Sequence, residues 1–314
     1  MKLSLLAALG AVFAATGMAA QAAALSDEIS AGALKGTYLE AKEGQSLVLI
    51  VPGSGPTDRD GNNPQGVNAN AYKHLAEQLA ARGIGSVRVD KRGMFGSIEA
   101  GDPNAVSIET YTEDYHAWID TIRARTDMRC IYLLGHSEGA LMVSAAAAGR
   151  SDVCGIILVA GVGRPMGDVL RTQLKENPAN APILEQAFSA IEKLEAGERV
   201  DTSKLHPGLA PLFAEQVQGF LISLFNADPL ALVRKANVPT LVIQGTNDLQ
   251  VSVEDAELLA AAAAVSPVIV EGMNHILKKS PQDRAGNFAT YAKPDLPVVE
   301  EVIDVIEAFV FVER

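Results

Sequence analysis

A serine between two glycines is the feature of this sequence that most directly indicates chemistry. The run Gly135-His136-Ser137-Glu138-Gly139 follows the apolar residues 131–134 and precedes the alanine-rich residues 140–148. Small residues two positions before and after a serine permit a sharp turn from strand to helix that leaves the hydroxyl exposed. The helix that begins there directs its unpaired N–H groups toward an anion beside the serine. The pattern predicts a nucleophilic Ser137, although an ordinary glycine-containing turn has similar residues.

A serine hydroxyl is a good nucleophile at neutral pH only when a base removes its proton, and that base needs a carboxylate to orient it. Two loops that follow late apolar runs contain such residues, Asp248 and His275. If both runs are strands of one parallel sheet, these residues and Ser137 meet at its carboxyl edge. The alternatives are structural: Asp248 is also typical of a turn or a helix cap, and His275 of a solvated loop.

The other histidines are weaker candidates for the base. His74 and His116 fall within predicted helices, and His206 lies in a later helical segment. We expect His136 to pack beneath the turn, because successive residues of such a turn point in different directions. No group of His, Cys, Asp or Glu has the spacing of a metal site, so we expect neither a metal nor a cofactor.

An oxyanion hole needs two backbone N–H donors near the nucleophile. The residue after the nucleophile, Glu138, provides one, and the loop after an early strand that ends at Val51 provides the other. Within this loop, residues 52–56, we predict Ser54 as the donor; the alternative is a plain glycine-proline turn. The charged residues 57–62 either shape the mouth of the site or form a surface loop with internal ion pairs.

The elements that must position these residues alternate in type along the chain. From residue 46 onward, short apolar runs alternate with helical patterns, which predicts a mostly parallel sheet flanked by helices. The predicted strands are 46–51, 86–89, 131–134, 155–160, 240–244 and 268–270, and the predicted helices include 71–82, 108–125 and 298–310. Residues 161–237 contain no strand pattern. Apolar residues from Leu209 to Leu224 recur there at helical spacing, and Asp228-Pro229 is typical of a helix start.

The beginning of the chain has the pattern of a secretory signal peptide, residues 1–24. A basic start precedes an apolar stretch that runs to Ala20 and closes with small residues of the Ala-x-Ala type. The stretch is short and contains two glycines, which argues against a permanent membrane anchor. We therefore expect a single domain over residues 25–314, periplasmic or secreted, without stable insertion in a membrane.

The chain is acidic. Its formal net charge is −12, and removal of Lys2 with the signal peptide takes the charge to −13. Such acidity excludes nucleic acid and anionic membrane surfaces as expected partners. With 48% hydrophobic residues, the chain is not of a disordered class.

The sequence contains two cysteines, Cys130 and Cys154, and each precedes a predicted strand. Successive strands of a parallel sheet commonly lie side by side, so these residues are placed to form a disulfide in an oxidising compartment. In the chain-entropy picture such a bridge contributes roughly 3 kcal/mol. The alternative is a pair of inert buried thiols.

Several segments together resemble the α/β-hydrolase superfamily. Within it, the chain is similar to bacterial serine esterases that have a Gly-Ser-Gly-Pro-Thr-Asp-Arg-Asp-Gly-Asn segment, here residues 53–62. The other segments that carry the resemblance are 90–93, 135–139, 239–240, 245–248 and 273–275. The chain order Ser137, Asp248, His275 is the one expected of this superfamily.

The resemblance implies an α/β-hydrolase fold with a helical cap, about residues 163–236, inserted after the sixth strand. It implies Ser137, Asp248 and His275 as a catalytic triad. One departure concerns the oxyanion loop, where Pro52-Gly53 replaces the His-Gly pair of many relatives.

The expected function is that of an exported serine hydrolase that cleaves small-molecule esters of short to medium acyl length through an acyl-enzyme. The same residues would also serve an amidase, a peptidase or a thioesterase. A non-catalytic binding protein on the same fold is the alternative from another class.

Overall fold

The computed structural model describes residues 26–40 and 46–312, and its central feature is an eight-stranded sheet. The strands are β1 Ser26–Ala31, β2 Leu34–Leu39, β3 Ser46–Val51, β4 Ile84–Val89, β5 Ile131–His136, β6 Val153–Val159, β7 Thr240–Gly245 and β8 Val268–Val270. Their order across the sheet is β1-β2-β4-β3-β5-β6-β7-β8. The predicted signal peptide, residues 1–24, lies outside the described residues.

Helices occupy both sides of the sheet. They are α1 Ala71–Ala81, α2 Ile108–Thr126, α3 Glu138–Ala147, α4 Met166–Glu176, α5 Leu184–Glu195, α6 Gln218–Phe225, α7 Pro229–Ala236, α8 Val253–Ala262, α9 Arg284–Ala289 and α10 Glu300–Val310. Short 3-10 helices span Phe95–Ala100, Pro178–Ile183, Thr202–Lys204, Glu215–Val217 and Thr290–Ala292. Over residues 26–40 and 46–312, no helix combines the length and apolar character needed to cross a bilayer.

The central strands are apolar because both of their faces are covered. On β3, Leu47, Leu49 and Val51 point into the layer that contains α2, α3 and α8, whereas Val48 and Ile50 point into the layer beneath α1 and α10. Successive side chains of a strand face opposite sides, so a continuous apolar run fills both layers. The expected parallel sheet flanked by helices is confirmed.

The first two strands were not predicted from the sequence. β1 and β2 form an antiparallel hairpin at the edge of the sheet, and β2 also pairs antiparallel with β4. The outer strand is largely exposed over residues 26–28, so it lacks the apolar run of a central strand. The remaining neighbours pair in parallel.

The segment between β6 and β7 is helical throughout its described elements. Helices α4, α5 and α6 contact one another, and α6 also contacts α2. The final helix, α7, instead packs against α3 and α8, which lie directly on the sheet. The helices that stand apart from the sheet are therefore α4 to α6.

The regular helix expected over Leu209 to Leu224 is shorter than the spacing suggests. Leu209 and Phe213 are buried, but the structure has turns there, and α6 begins only at Gln218. Pro207 and Pro211 explain the difference, because proline lacks the N–H that a helix interior needs. Leu209 and Phe213 are buried at helical spacing because turns, and not a continuous helix, pack them against the same core.

Cys130 and Cys154 form a disulfide, which confirms the predicted pairing. Strands β5 and β6 are neighbours in the sheet, and Ile131 is paired with Val153. This register places the two Cα atoms 5.2 Å apart. The bridge therefore ties the amino ends of two central strands together.

We expect loss of this disulfide to destabilise the fold without moving the site. The double variant Cys130→Ala, Cys154→Ala should lose roughly 3 kcal/mol of unfolding free energy, because the unfolded chain gains the entropy of an open loop. Urea unfolding monitored by tryptophan fluorescence measures this difference. Dithiothreitol should lower the stability of the wild type but not of the double variant, and equal stabilities of the oxidised and reduced wild type would contradict the expectation.

Candidate active site

Ser137 lies in a strained turn between β5 and α3. Its φ and ψ are 56° and −122°, a region that non-glycine residues rarely adopt. Its N–H donates to the carbonyl of Val159 at 2.9 Å, and its own carbonyl accepts from Ala140 at 3.0 Å. The turn is thus held from the adjacent strand and from the helix that follows.

The two glycines of this turn are required by close packing. A Cβ at Gly139 would lie 2.6 Å from the carbonyl oxygen of Val51, and a Cβ at Gly135 would overlap the carbonyl of Gly139. Only residues without a side chain permit these approaches. The spacing noticed in the sequence therefore has a steric cause.

Asp248 and His275 are joined by a hydrogen bond. The Nδ1 atom of His275 lies 2.8 Å from Oδ2 of Asp248, and both side chains are buried. The other carboxylate oxygen, Oδ1, accepts from the N–H groups of Gln250 at 2.7 Å and Val251 at 3.0 Å. Gln244 Nε2 donates to Oδ2 at 3.0 Å. Every contact holds the carboxylate toward the imidazole.

These contacts keep Asp248 ionised. Burial by itself raises the pKa of the Asp248 carboxyl, but the charge and hydrogen bond of His275 lower it, as do the N–H groups of Val251 and Gln250. The net effect is a pKa below the ordinary value. An ionised Asp248 fixes the proton of His275 on Nδ1 and leaves Nε2 as the basic nitrogen.

Two of the structural alternatives, a helix cap at Asp248 and a solvated loop at His275, are excluded. The turn at Asp248 is present, since its Oδ1 accepts the N–H groups two and three residues further on. Helix α8 is capped by Ser252, whose side chain and that of Asp255 form a reciprocal capping box. Asp248 is therefore not the cap of this helix. His275 is 5% exposed, so it is not a solvated loop residue.

Ser137 and His275 line one cavity of about 620 Å³. In the described part of the chain no hydrogen bond joins the Ser137 hydroxyl to His275, and such catalytic contacts often tighten only when substrate binds. The structure brings Asp248 and His275 into direct contact and places Ser137 in the same cavity as the imidazole.

His136 connects the base to the strand end beneath it. Its Nε2 lies 2.7 Å from the carbonyl oxygen of His275, and its Nδ1 lies 2.7 Å from the hydroxyl of Tyr72. A carbonyl only accepts, so Nε2 carries the proton and Nδ1 accepts from Tyr72. The Tyr72 oxygen in turn accepts the N–H of Gly53 at 3.1 Å. His136 is thus a buried hydrogen-bonding residue as well as a packing one, and no sequence pattern indicated Tyr72.

Burial lowers the pKa of the His136 imidazole to about 3, with the nearby His275 contributing. The ring is therefore neutral at physiological pH, as its hydrogen bonds require. Burial raises the pKa of the Tyr72 hydroxyl, so it stays protonated and able to donate.

The two residues predicted to provide the oxyanion donors line the same cavity. Ser54 and Glu138 both line it, and the hydroxyl of Ser54 donates to Oε2 of Glu138 at 2.9 Å. Neither backbone N–H of these two residues has a hydrogen-bond partner among the described residues. The arrangement therefore leaves two amides available beside Ser137.

Two of the charged residues in 57–62 pair with strand β4 and the residue after it, whereas Asp58 accepts backbone N–H groups within the segment. Arg59 Nε donates to Asp90 at 2.8 Å, and Asp60 pairs with Arg88. The alternative of a surface loop with internal ion pairs is therefore wrong for these two residues. Their pairing anchors the segment at the mouth of the cavity, which Thr57 also lines.

Helices α4 and α6 form an apolar wall of the cavity. The side chains on this wall are Met166 and Leu170 from α4 and Phe220, Leu221, Leu224 and Phe225 from α6. Polar residues, including Asn63, Lys91 and Gln250, line other parts. No group of three or more His, Cys, Asp or Glu side chains within residues 26–40 and 46–312 is arranged to hold a metal ion.

Comparisons with known proteins agree with this architecture. A family model described as serine aminopeptidase, S33 matches residues 66–202. The chain is 29% identical over 238 residues to esterase EstD of Thermotoga maritima, and the match covers 73% of this chain and 54% of that protein. The chain thus spans about half the length of this relative.

Solved structures share the fold. Est1E from Butyrivibrio proteoclasticus, with ferulic acid bound, has a TM-score of 0.56 at 17% identity and covers 90% of this chain and 97% of its own. The α/β hydrolase GrgF from Penicillium sp. sh18 has a TM-score of 0.58 at 18% identity, with 91% and 97% coverage. The chain has the α/β-hydrolase fold and is esterase-like in sequence.

We expect the buried, neutral His136 to make the fold sensitive to acid. Between its ordinary pKa of 6.5 and its folded value of about 3, the unfolded chain binds a proton that the folded chain does not. The free energy of unfolding therefore decreases as the pH falls from 6.5 toward 3, by up to about 1.4 kcal/mol per pH unit. His136→Gln keeps a donor for the carbonyl of His275 but does not titrate, so its stability should fall less steeply.

Urea unfolding at a series of pH values measures these slopes. His206→Gln, at an exposed position of the cap segment, is the matched control and should keep the slope of the wild type. An unchanged slope in His136→Gln would contradict a buried neutral imidazole at this position.

Proposed function

We propose that this protein is an exported serine carboxylesterase that acts through an acyl-enzyme. The observation that carries the proposal is the buried His275–Asp248 hydrogen bond in a cavity shared with Ser137. This arrangement contains a nucleophile, a base and an orienting carboxylate at the carboxyl edge of a parallel sheet.

The proposed mechanism gives each of these residues one role. Ser137 attacks the carbonyl carbon of an ester while Nε2 of His275 accepts its proton. The resulting oxyanion is stabilised by the N–H groups of Ser54 and Glu138 and by the N-terminal end of α3. His275 then protonates the leaving alcohol, and a water activated by the same nitrogen hydrolyses the acyl-enzyme. Asp248 stabilises the imidazolium in both stages.

The apolar wall from α4 and α6 supports a hydrophobic group on the substrate. A cavity of about 620 Å³ is of the size that small-molecule sites usually have. We therefore propose short to medium acyl esters as substrates. The ferulic acid complex of Est1E and the name of esterase EstD describe those proteins and support an ester substrate only by analogy.

A peptidase is the second candidate, favoured by the description of the matching family model. An aminopeptidase needs a negative side chain for the ammonium group of its substrate. Among the described residues that line the cavity, Glu138 is the acidic one, and it accepts the hydroxyl of Ser54 with Lys91 close enough to interact. This partial compensation of its charge favours a neutral ester over a peptide with a free amino terminus.

Export is proposed from residues 1–24 and supported by the Cys130–Cys154 disulfide, because disulfides persist mainly in oxidising compartments. We expect expression of the full chain in a bacterium to yield a processed protein that begins near residue 23 or 25. Fractionation and N-terminal sequencing test this, with a chain that lacks residues 1–24 as the control. An unprocessed protein in the cytoplasmic fraction would refute export.

We expect Ser137→Ala to abolish turnover while it preserves the fold. The kcat for p-nitrophenyl esters should fall by about 10⁴-fold or more, because the nucleophile is lost and only binding and oxyanion stabilisation remain. A fluorophosphonate should label the wild type and not the variant. Parallel assays of esters of increasing acyl length, thioesters and aminoacyl p-nitroanilides identify the bond that is cleaved.

The outcomes of these assays separate the candidates. Labelling with preference for anilides would favour the peptidase, and a folded wild type that is not labelled would favour a binding protein. Lys204→Ala, whose side chain is 81% exposed and lies outside the cavity lining, controls for general effects of substitution and should retain kcat within about threefold.

A further inference from the structure

Lys91 is a buried cation beside the proposed site, and the mechanism above gives it no part. Its side chain is 6% exposed and lines the cavity. Its Nζ donates to the carbonyl oxygen of Gly53 at 2.8 Å. Burial lowers the pKa of the Lys91 ammonium, and the charge of Glu138 opposes this effect. A buried ammonium carries an energetic cost, so its retention calls for a reason.

The residues on either side of Lys91 in sequence both form ion pairs. Asp90 pairs with Arg59, and Arg92 pairs with Asp114. Lys91 forms no ion pair among the described residues, and its hydrogen bond goes to a backbone carbonyl. The ammonium of Lys91 therefore restrains the backbone of the loop that follows β3.

The carbonyl that Lys91 contacts belongs to the same peptide unit as the N–H of Ser54. In a trans peptide these two groups lie in one plane and point in opposite directions. A donor that holds the carbonyl of Gly53 therefore also fixes the direction of the N–H of Ser54. Without such a restraint, glycine at this position allows the peptide to rotate with little steric cost.

Other contacts fix the rest of this loop but not this peptide. The N–H of Gly53 donates to Tyr72, and the hydroxyl of Ser54 donates to Glu138. The loop passes close to the nucleophile, since a Cβ at Gly53 would lie 3.0 Å from the Cβ of Ser137. The orientation of the peptide between residues 53 and 54 thus depends on Lys91.

We propose that Lys91 is a positioning residue of the oxyanion hole, which by holding the carbonyl of Gly53 directs the N–H of Ser54 toward the oxyanion formed at Ser137. This assignment rests on the proposed acyl-transfer function of the site. The charge of Lys91 has a second effect, because it offsets the negative charge of Glu138 near the place where the oxyanion develops.

The test replaces Lys91 and measures ground-state and transition-state binding separately. Loss of an oxyanion donor typically lowers kcat by about 10²–10³-fold. Lys91→Met releases the peptide and removes the charge that offsets Glu138 but leaves the N–H of Ser54 in place, so it should lower kcat by roughly 10- to 100-fold. KM for p-nitrophenyl butyrate should change by no more than about threefold. The Ki of a trifluoromethyl ketone, which forms a tetrahedral adduct with serine, should rise in proportion to the loss of kcat/KM.

Chemical rescue provides a readout that a merely structural lysine would not give. Lys91→Ala leaves room for a small alkylammonium ion that can donate to the carbonyl of Gly53. We expect ethylammonium to raise the kcat of this variant by about tenfold, because the amine restores part of the oxyanion stabilisation that the substitution removes. Lys35→Ala is the control, because it removes a cation whose Nζ contacts Ser30 and Glu28 on the far hairpin. Its rate should match the wild type and should not respond to the amine.

All rates are normalised to active sites titrated with a fluorophosphonate, so that unfolded protein is not counted. An unchanged kcat and Ki in Lys91→Met, or equal effects on KM and Ki, would overturn the assignment while the wild-type activity stands. Failure of ethylammonium to restore a folded Lys91→Ala would also count against it. A wild type that hydrolyses none of the acyl substrates would instead overturn the proposed function.

Discussion

The buried hydrogen bond between His275 and Asp248 is the interaction on which the proposed chemistry depends. It forms because β7 and β8 are parallel neighbours, so the loops that follow them begin at the same edge of the sheet. Gly245 permits this approach, since a Cβ there would overlap the carbonyl of Met273. Backbone N–H groups and Gln244 complete the shell of the carboxylate, and they favour its ionised form in a buried place.

The loops of the site are connected beneath the cavity by a second set of buried contacts. His136 joins the carbonyl of His275 to the hydroxyl of Tyr72, and Tyr72 accepts from Gly53. Lys91 holds the carbonyl of Gly53 from another direction. The turn of the nucleophile, the base and the predicted oxyanion loop are thus linked by buried hydrogen bonds, and such networks favour a single arrangement.

The apolar pattern predicted the central strands well, because residues such as Val48 and Leu49 must fill two layers at once. It missed the β1–β2 hairpin, since an edge strand that is exposed over residues 26–28 has no such requirement. It also extended a helix through Leu209 and Phe213, where prolines impose turns and only burial follows the spacing. Burial patterns indicate which side chains enter a core, but they do not distinguish a helix from turns that face the same core.

The sequence by itself determined the strand-to-helix turn at Ser137, because Gly135 and Gly139 act within a few residues of it. It also determined the order of the three candidate residues and the position of each cysteine before a predicted strand, whereas the tertiary structure made those two strands neighbours. Only the tertiary structure decided that Tyr72 and Lys91 reach Gly53. Those contacts join residues 19 and 38 positions apart, and their geometry arises from the packing of β3, β4 and α1 rather than from any local pattern. Steric limits on a turn depend on residues that are close in sequence. The direction of a buried donor depends on how distant strands and helices pack.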